Sequence, residues 1–148
     1  MNDERKTPKW LFEALDAEFH FTLDAAATAE NTLVQQLYFT KEQNALTLNW
    51  GSEIVWCNPP YSRGQLFQWV WKAYEQPVAT TVMLLPGDCS TKAGQFTLRC
   101  ATAVLFLAQR LKFDNEKNGA KFASWIALFG GTRQDKDKLI RLCLGVVL

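Results

Sequence analysis

Ile54-Val55-Trp56-Cys57-Asn58-Pro59-Pro60-Tyr61 is an apolar, β-prone run that stops abruptly in Asn-Pro-Pro-Tyr. The first four residues suit a buried strand. Two consecutive prolines fix their own φ angles and carry no N–H, so the chain leaves that strand as a stiff extended segment with outward, unpaired carbonyls. A strand closed by an ordinary turn would share these features, since Asn-Pro and Pro-Pro commonly punctuate elements. A turn alone, however, has no need of Tyr61 or of the helix-like segment that starts at once behind it.

The chemistry of the tetrapeptide follows from its acceptors. A planar amine entering beside it could give one N–H to the Asn58 side-chain oxygen and another to the Pro59 carbonyl, with Pro60 stiffening the elbow and Tyr61 stacking on the attached ring. That arrangement suits the alkylation of an amino nitrogen.

Working outward, Thr7-Pro8 precedes Leu11, Phe12, Leu15 and Phe19 at helical spacing, which predicts an opening helix with Thr7 as N-cap and Pro8 at its first position. Phe21–Asp24 reads as a strand ending on a carboxylate, followed by three small alanines. Thr28–Tyr38 reads as a second helix, while Phe39–Leu48 has no clear periodicity. Ser62-Arg63-Gly64 is a turn, Leu66–Tyr74 an aromatic-rich helix ended by Gln76-Pro77, and Thr80–Leu85 a strand buried on both faces and ended by Pro86-Gly87. A short helix over Gly94–Arg99, strands at Ala103–Leu107 and Trp125–Phe129, and one last strand supplied by Leu139–Leu148 complete the pattern. Strands alternating with helices and then following one another predict an α/β fold, its mostly parallel sheet carrying antiparallel strands at one edge. Ligands bind such sheets outside the carboxyl ends of the strands, where Asp24 and Asn58 both fall.

The chain has 148 residues, 48% of them hydrophobic and 13% aromatic. This suffices for one compact domain over residues 1–148, with residues 1–6 expected to be flexible. Sixteen basic against fifteen acidic side chains give a formal charge of +1, which excludes a strongly basic nucleic-acid coat but permits a local positive groove. The four cysteines lack CxxC spacing and read as reduced thiols without a metal site. The charged amino terminus is no secretory signal and no apolar stretch spans a bilayer, so a cytoplasmic, soluble protein is expected.

Taken in order, Thr-Pro, Leu-Asp-Ala-Ala-Ala, Asn-Ala-Leu, Asn-Pro-Pro-Tyr-Ser, then Gln109–Phe113 and Phe122–Phe129, the chain resembles the phage-type DNA N6-adenine methyltransferases over residues 7 to 130. The resemblance implies a Rossmann-like sheet, S-adenosylmethionine as methyl donor, double-stranded DNA as partner, and a phage or prophage origin. It also implies that Thr7-Pro8 lies near the methionine end of the cofactor, and that Asp24 and Ala25 form the first cofactor-binding motif. Asn44 would meet the adenosyl group. The family usually has Asp-Gly where this chain has Asn44-Ala45, so an acceptor oxygen is kept and a charge is lost. Asn-Pro-Pro-Tyr alone is shared with methyltransferases of RNA and of protein glutamine, and a nucleic-acid-binding module with a degraded cofactor pocket would keep the same pattern.

Ser62 and Arg63 follow directly on the tetrapeptide, where Arg63 could contact a phosphate beside an extruded base. Arg110 and Lys112, with Lys117 and Lys121 nearby, form the other candidate DNA surface, although protective lysines on a solvated edge strand would look alike. His20 is the only histidine and reads as structural. The Trp69, Trp71 and Tyr74 cluster reads as core and helix cover.

Overall fold

The computed structural model describes residues 5–114, 117–120 and 122–148. Its elements in chain order are α1 (Lys9–Phe19), β1 (Leu23–Asp24), a 3-10 turn (Ala45–Thr47), β2 (Ile54–Cys57), α2 (Gln65–Glu75), β3 (Thr80–Pro86), α3 (Lys92–Cys100), β4 (Ala103–Leu107), β5 (Ser124–Phe129), α4 (Arg133–Arg141) and β6 (Gly145–Val147).

The six strands form one sheet in the order β1-β2-β3-β5-β4-β6. β1–β2 and β2–β3 pair in parallel, whereas β3–β5, β5–β4 and β4–β6 pair antiparallel. The α/β class is as expected, but antiparallel pairing occupies half the sheet and not only an edge. The reason is the connection after β4: with no helix to cross over, the chain returns directly as β5 beside β3.

Period-2 alternation sorts each strand between two cores. Trp56, Val82, Leu84, Leu105 and Ile126 face a layer with Leu11, Phe12, Leu15 and Phe19 of α1 and Leu139 of α4. Val55, Cys57, Met83, Leu85, Ala127 and Phe129 face the opposite way, against Trp69, Val70 and Ala73 of α2 and Ala93 of α3. Of the aromatic cluster only Trp69 is core: Trp71 and Tyr74 are exposed and surround Phe96 at centroid distances of 5.4 and 5.1 Å.

Three expectations are corrected. Thr28–Tyr38 is a series of turns and no helix. Thr28 and Asn31 exchange bonds of 2.7 and 3.1 Å between side chain and backbone, Thr32 Oγ1 donates to the Val34 carbonyl (2.8 Å), and Leu33 N–H goes to the Asp24 carboxylate (3.1 Å). Side chains of this kind compete with the helical ladder and here prevail. Leu139–Leu148 is only partly strand, because α4 runs through Arg141; its capping box between Thr132 and Asp135 starts a helix that buries Leu139 alone. Finally, α1 begins at Lys9 with Pro8 as N-cap, and the Thr7 side chain makes no capping bond. The Lys9 N–H is met instead by the Asp114 carboxylate at 3.1 Å, a partner 105 residues away.

Candidate active site

Because β1, β2 and β3 are parallel, their carboxyl ends lie on one side of the sheet. Asp24 sits opposite Trp56 in the register, and the Ala25 N–H donates to the Trp56 carbonyl at 3.0 Å. Asp24 and Asn58 therefore stand at the ends of adjacent strands on one side of the sheet.

Asn58 is half-buried, and both ends of its amide are in unlike surroundings. Nδ2 donates to the Arg5 carbonyl and to Thr7 Oγ1, the latter at 2.9 Å. Oδ1 is buried and has no hydrogen-bond partner among the described residues. The buried Pro59 that follows has a carbonyl that accepts no hydrogen bond among them either. Two acceptors thus stand without a partner among the described residues at the end of β2, and for the buried Asn58 oxygen that is costly in a mere turn, since unpaired buried polar groups are rare.

Tyr61 is half-buried and its hydroxyl donates to the Leu84 carbonyl at 3.0 Å, which fixes the ring across the end of β3. Burial holds its phenol far above the ordinary tyrosine range despite the nearby Arg5, so the group stays neutral and acts as a donor to Leu84. Phe122 meets Tyr61 edge-on at 6.1 Å and also contacts Phe113, while the Arg5 guanidinium lies 5.9 Å from the centroids of both Tyr61 and Phe122. Sequence reasoning places neither Arg5 nor Phe122 in the site, although Phe122 opens one of the segments that carry the family resemblance. Phe122 stands two residues before β5, where an aromatic reads as ordinary core.

Asp24 is only 3% exposed. Its carboxylate accepts the Leu33 N–H (3.1 Å) and the Ala26 N–H (3.3 Å). Burial pushes its pKa up to about 6 against the opposing pull of those two donors. The carboxylate also helps to raise the thiol of Cys57, second to that group's own burial. Ala25 packs in the same cluster as Ala45 and Cys57. Asn44 is exposed, adopts φ 56°, and uses its side chain to cap the Leu46 N–H. It shares no hydrogen bond with Asp24 or Asn58. Ala45 keeps a negative φ, so the freedom that a glycine would add is not required there.

The candidate DNA contacts divide. Ser62 Oγ donates to Gln65 Oε1 at 2.8 Å and so supports the start of α2, whereas Arg63 is exposed with no side-chain partner among the described residues. Arg110 and Lys112 are exposed on either side of the buried Leu111, in the connection between β4 and β5 and not on an edge strand. Phe113 and Phe122 tie that connection to Tyr61. Lys117 is exposed and Lys121 lies outside the described residues. His20 ends α1 with φ 55°, its N–H on the Asp16 carbonyl. The two described cavities lie elsewhere: one of about 250 Å³ along α2 between Leu46 and Trp71, one of about 470 Å³ beside α4. Among the described residues no helix is long and apolar enough to cross a membrane.

A family model described as DNA N-6-adenine-methyltransferase (Dam) matches residues 1–129. The chain belongs to the DNA N-6-adenine-methyltransferase (Dam) family. Two relatives carry the same name: one from Haemophilus phage HP1 (strain HP1c1) is 38% identical over 119 residues, and one from Escherichia phage T1 is 33% identical over 135 residues. These matches cover 76% and 88% of this chain, and 67% and 56% of the relatives. The chain thus spans about two thirds of one Dam relative and little more than half of the other. The family match runs through β5 and includes Thr7, Asp24, Asn58, Tyr61 and Phe122.

Proposed function

We propose that this chain transfers a methyl group from S-adenosylmethionine to the exocyclic N6 amine of an adenine turned out of double-stranded DNA. The observation that carries the reading is the buried Asn58 Oδ1, which with the neighbouring Pro59 carbonyl has no partner among the described residues. Two acceptors at the end of one strand match the two hydrogens of one amino group.

The adenine N6 lone pair is delocalised into the ring, and its target face is hidden inside a stacked duplex. Extruding the base costs a few kcal/mol, about 1–3 kcal/mol of which a stacking face such as Tyr61 would return. Asn58 and Pro59 then hold the amine, and accepting its hydrogens keeps electron density on nitrogen and fixes its direction of attack. Tyr61, anchored on Leu84, supplies the ring face and, being neutral, takes no part as a base. Arg63, Arg110 and Lys112 supply phosphate contacts on the same side of the sheet.

The strand ends suit the cofactor in two respects: a buried carboxylate at the end of β1 suits a cationic amino acid group, and the small side chains of Ala25, Ala26 and Ala27 admit close approach. Thr7, Pro8, Asp24, Ala25 and Asn44 are the residues we assign to it. When bound, S-adenosylmethionine supplies an electrophilic methyl on sulfur. The parallel half of the sheet, with Asp24 and Asn58 at its strand ends, is what supports a Rossmann-like reading of the fold.

The test is transfer of labelled methyl to mixtures of DNA, RNA and protein, with N6-methyladenine mapped in host DNA after expression. Wild type should label DNA adenine. Asn58→Ala should lose transfer while retaining cofactor binding by calorimetry. Label on RNA or on protein glutamine would redirect the reading to those acceptors, and absence of cofactor binding would point to a binding module.

A further inference from the structure

An asparagine amide has two ends of nearly equal shape, and only the oxygen end can accept from a substrate amine. Turned the other way, Asn58 would set its own N–H groups against those of adenine. Nothing within Asn-Pro-Pro-Tyr decides between the two.

The decision is made by residues 5–7. The Arg5 carbonyl can only accept, so it selects Nδ2, and Thr7 Oγ1 takes the second hydrogen at 2.9 Å. With both donors engaged, Oδ1 is the end left without a partner among the described residues. Thr7 is only 6% exposed, so water does not readily replace its oxygen. The segment is held from both sides: the Asp114 N–H donates to the Lys6 carbonyl at 3.0 Å, the Lys9 N–H donates to the Asp114 carboxylate, and α1 is anchored by fully buried Leu11 and Leu15. Pro8 further restricts Thr7 to extended backbone.

We propose that Thr7 is a positioning residue of the transfer reaction, acting through Asn58 by holding its amide with the oxygen end toward the substrate. This rests on the methyltransfer reading above, and gives Thr7 a task distinct from any contact with the cofactor.

The experiment compares Thr7→Val, which keeps the volume and removes the acceptor, with Thr7→Ser, which keeps the hydroxyl. At saturating DNA and cofactor, kcat should fall about tenfold in Thr7→Val, the scale of one neutral hydrogen bond, and stay within about threefold in Thr7→Ser. In Thr7→Val the fall in kcat should exceed any change in the cofactor Kd, because the bond to Asn58 is separate from any contact of Thr7 with the cofactor. Equal losses in both variants, or an unchanged kcat with a weakened cofactor Kd, would overturn the proposal. Thr7→Ala serves if Thr7→Val does not fold.

A second readout is independent of activity. The Asn58 side-chain amide protons, assigned by their absence in Asn58→Asp, should be protected from exchange in wild type, and in Thr7→Val the one held by Thr7 should lose protection. Unprotected protons in wild type would refute the orientation itself, whereas protected protons in an inactive wild type would refute only the methyltransfer reading.

Discussion

Between about pH 4 and pH 7 the folding stability of this chain should fall by up to about 3 kcal/mol through one carboxyl, that of Asp24. Burial raises its pKa from 3.8 to about 6, against the pull of the Leu33 and Ala26 N–H groups. At about 1.4 kcal/mol per pH unit, a difference of that size between unfolded and folded chain amounts to the stated loss. The sign follows from proton linkage. A raised carboxyl pKa means the folded chain binds the proton more tightly, so the contribution is complete below about pH 3.8, declines as pH rises through about 6, and is flat above. Asp135 works in the other sense: Lys138 and the Thr132 N–H lower it despite partial burial, so its contribution is present at neutral pH and lost in acid. Urea unfolding of wild type and Asp24→Asn across this range isolates the Asp24 contribution, because Asp135 is common to both. Wild type should weaken relative to the variant as pH rises; parallel curves would refute the reasoning. If the ionised carboxylate meets the cofactor, the wild-type Kd for S-adenosylmethionine should also weaken about tenfold per pH unit below about pH 6, and a pH-independent Kd would remove Asp24 from that site.

Gly87→Ala should cost about 1–3 kcal/mol and lower Tm by several degrees, because a Cβ there would stand 2.5 Å from Nε1 of the Trp125 indole, itself packed edge-on against Phe106; an unchanged melt would show that the ring can move aside. Tyr61→Phe should lose about 1 kcal/mol of stability with the Leu84 bond yet keep most methyl transfer, whereas Tyr61→Ala should slow transfer markedly, and less so on an oligonucleotide whose target adenine is already unpaired. Equal activity of the two variants would discard the stacking role. Arg63→Ala, Arg110→Ala and Lys112→Ala should each weaken DNA binding uniformly across sequences and reduce the salt slope by about one, as measured by titration at several ionic strengths; an unchanged slope marks a residue that meets no phosphate.

The chain itself determined the elements whose cause is local. β2 ends where two prolines forbid further ladder bonds, β3 is a continuous apolar run buried on both faces, α2 stops at Gln76-Pro77, and the ordered motifs from Thr7 to Phe129 place the chain in its family. α4 escaped because a helix that buries only Leu139 shows no apolar stripe, although Thr132 followed by Asp135 was a usable capping signal. Thr28–Tyr38 misled because its short polar side chains bond to nearby backbone, a competition that hydropathy patterns do not register.

Tertiary structure decided what depends on distant partners. The direct return of the chain from β4 set half the sheet antiparallel, Asp114 came to cap a helix that starts 105 residues earlier, and Phe122 came to rest against Tyr61. Above all, the Arg5 carbonyl and the Thr7 hydroxyl reached Asn58 and left its oxygen without a partner among the described residues. The sequence could say that an acceptor was present; which way the amide faces is set by groups more than fifty residues away, because hydrogen-bond polarity belongs to the pair and not to the residue.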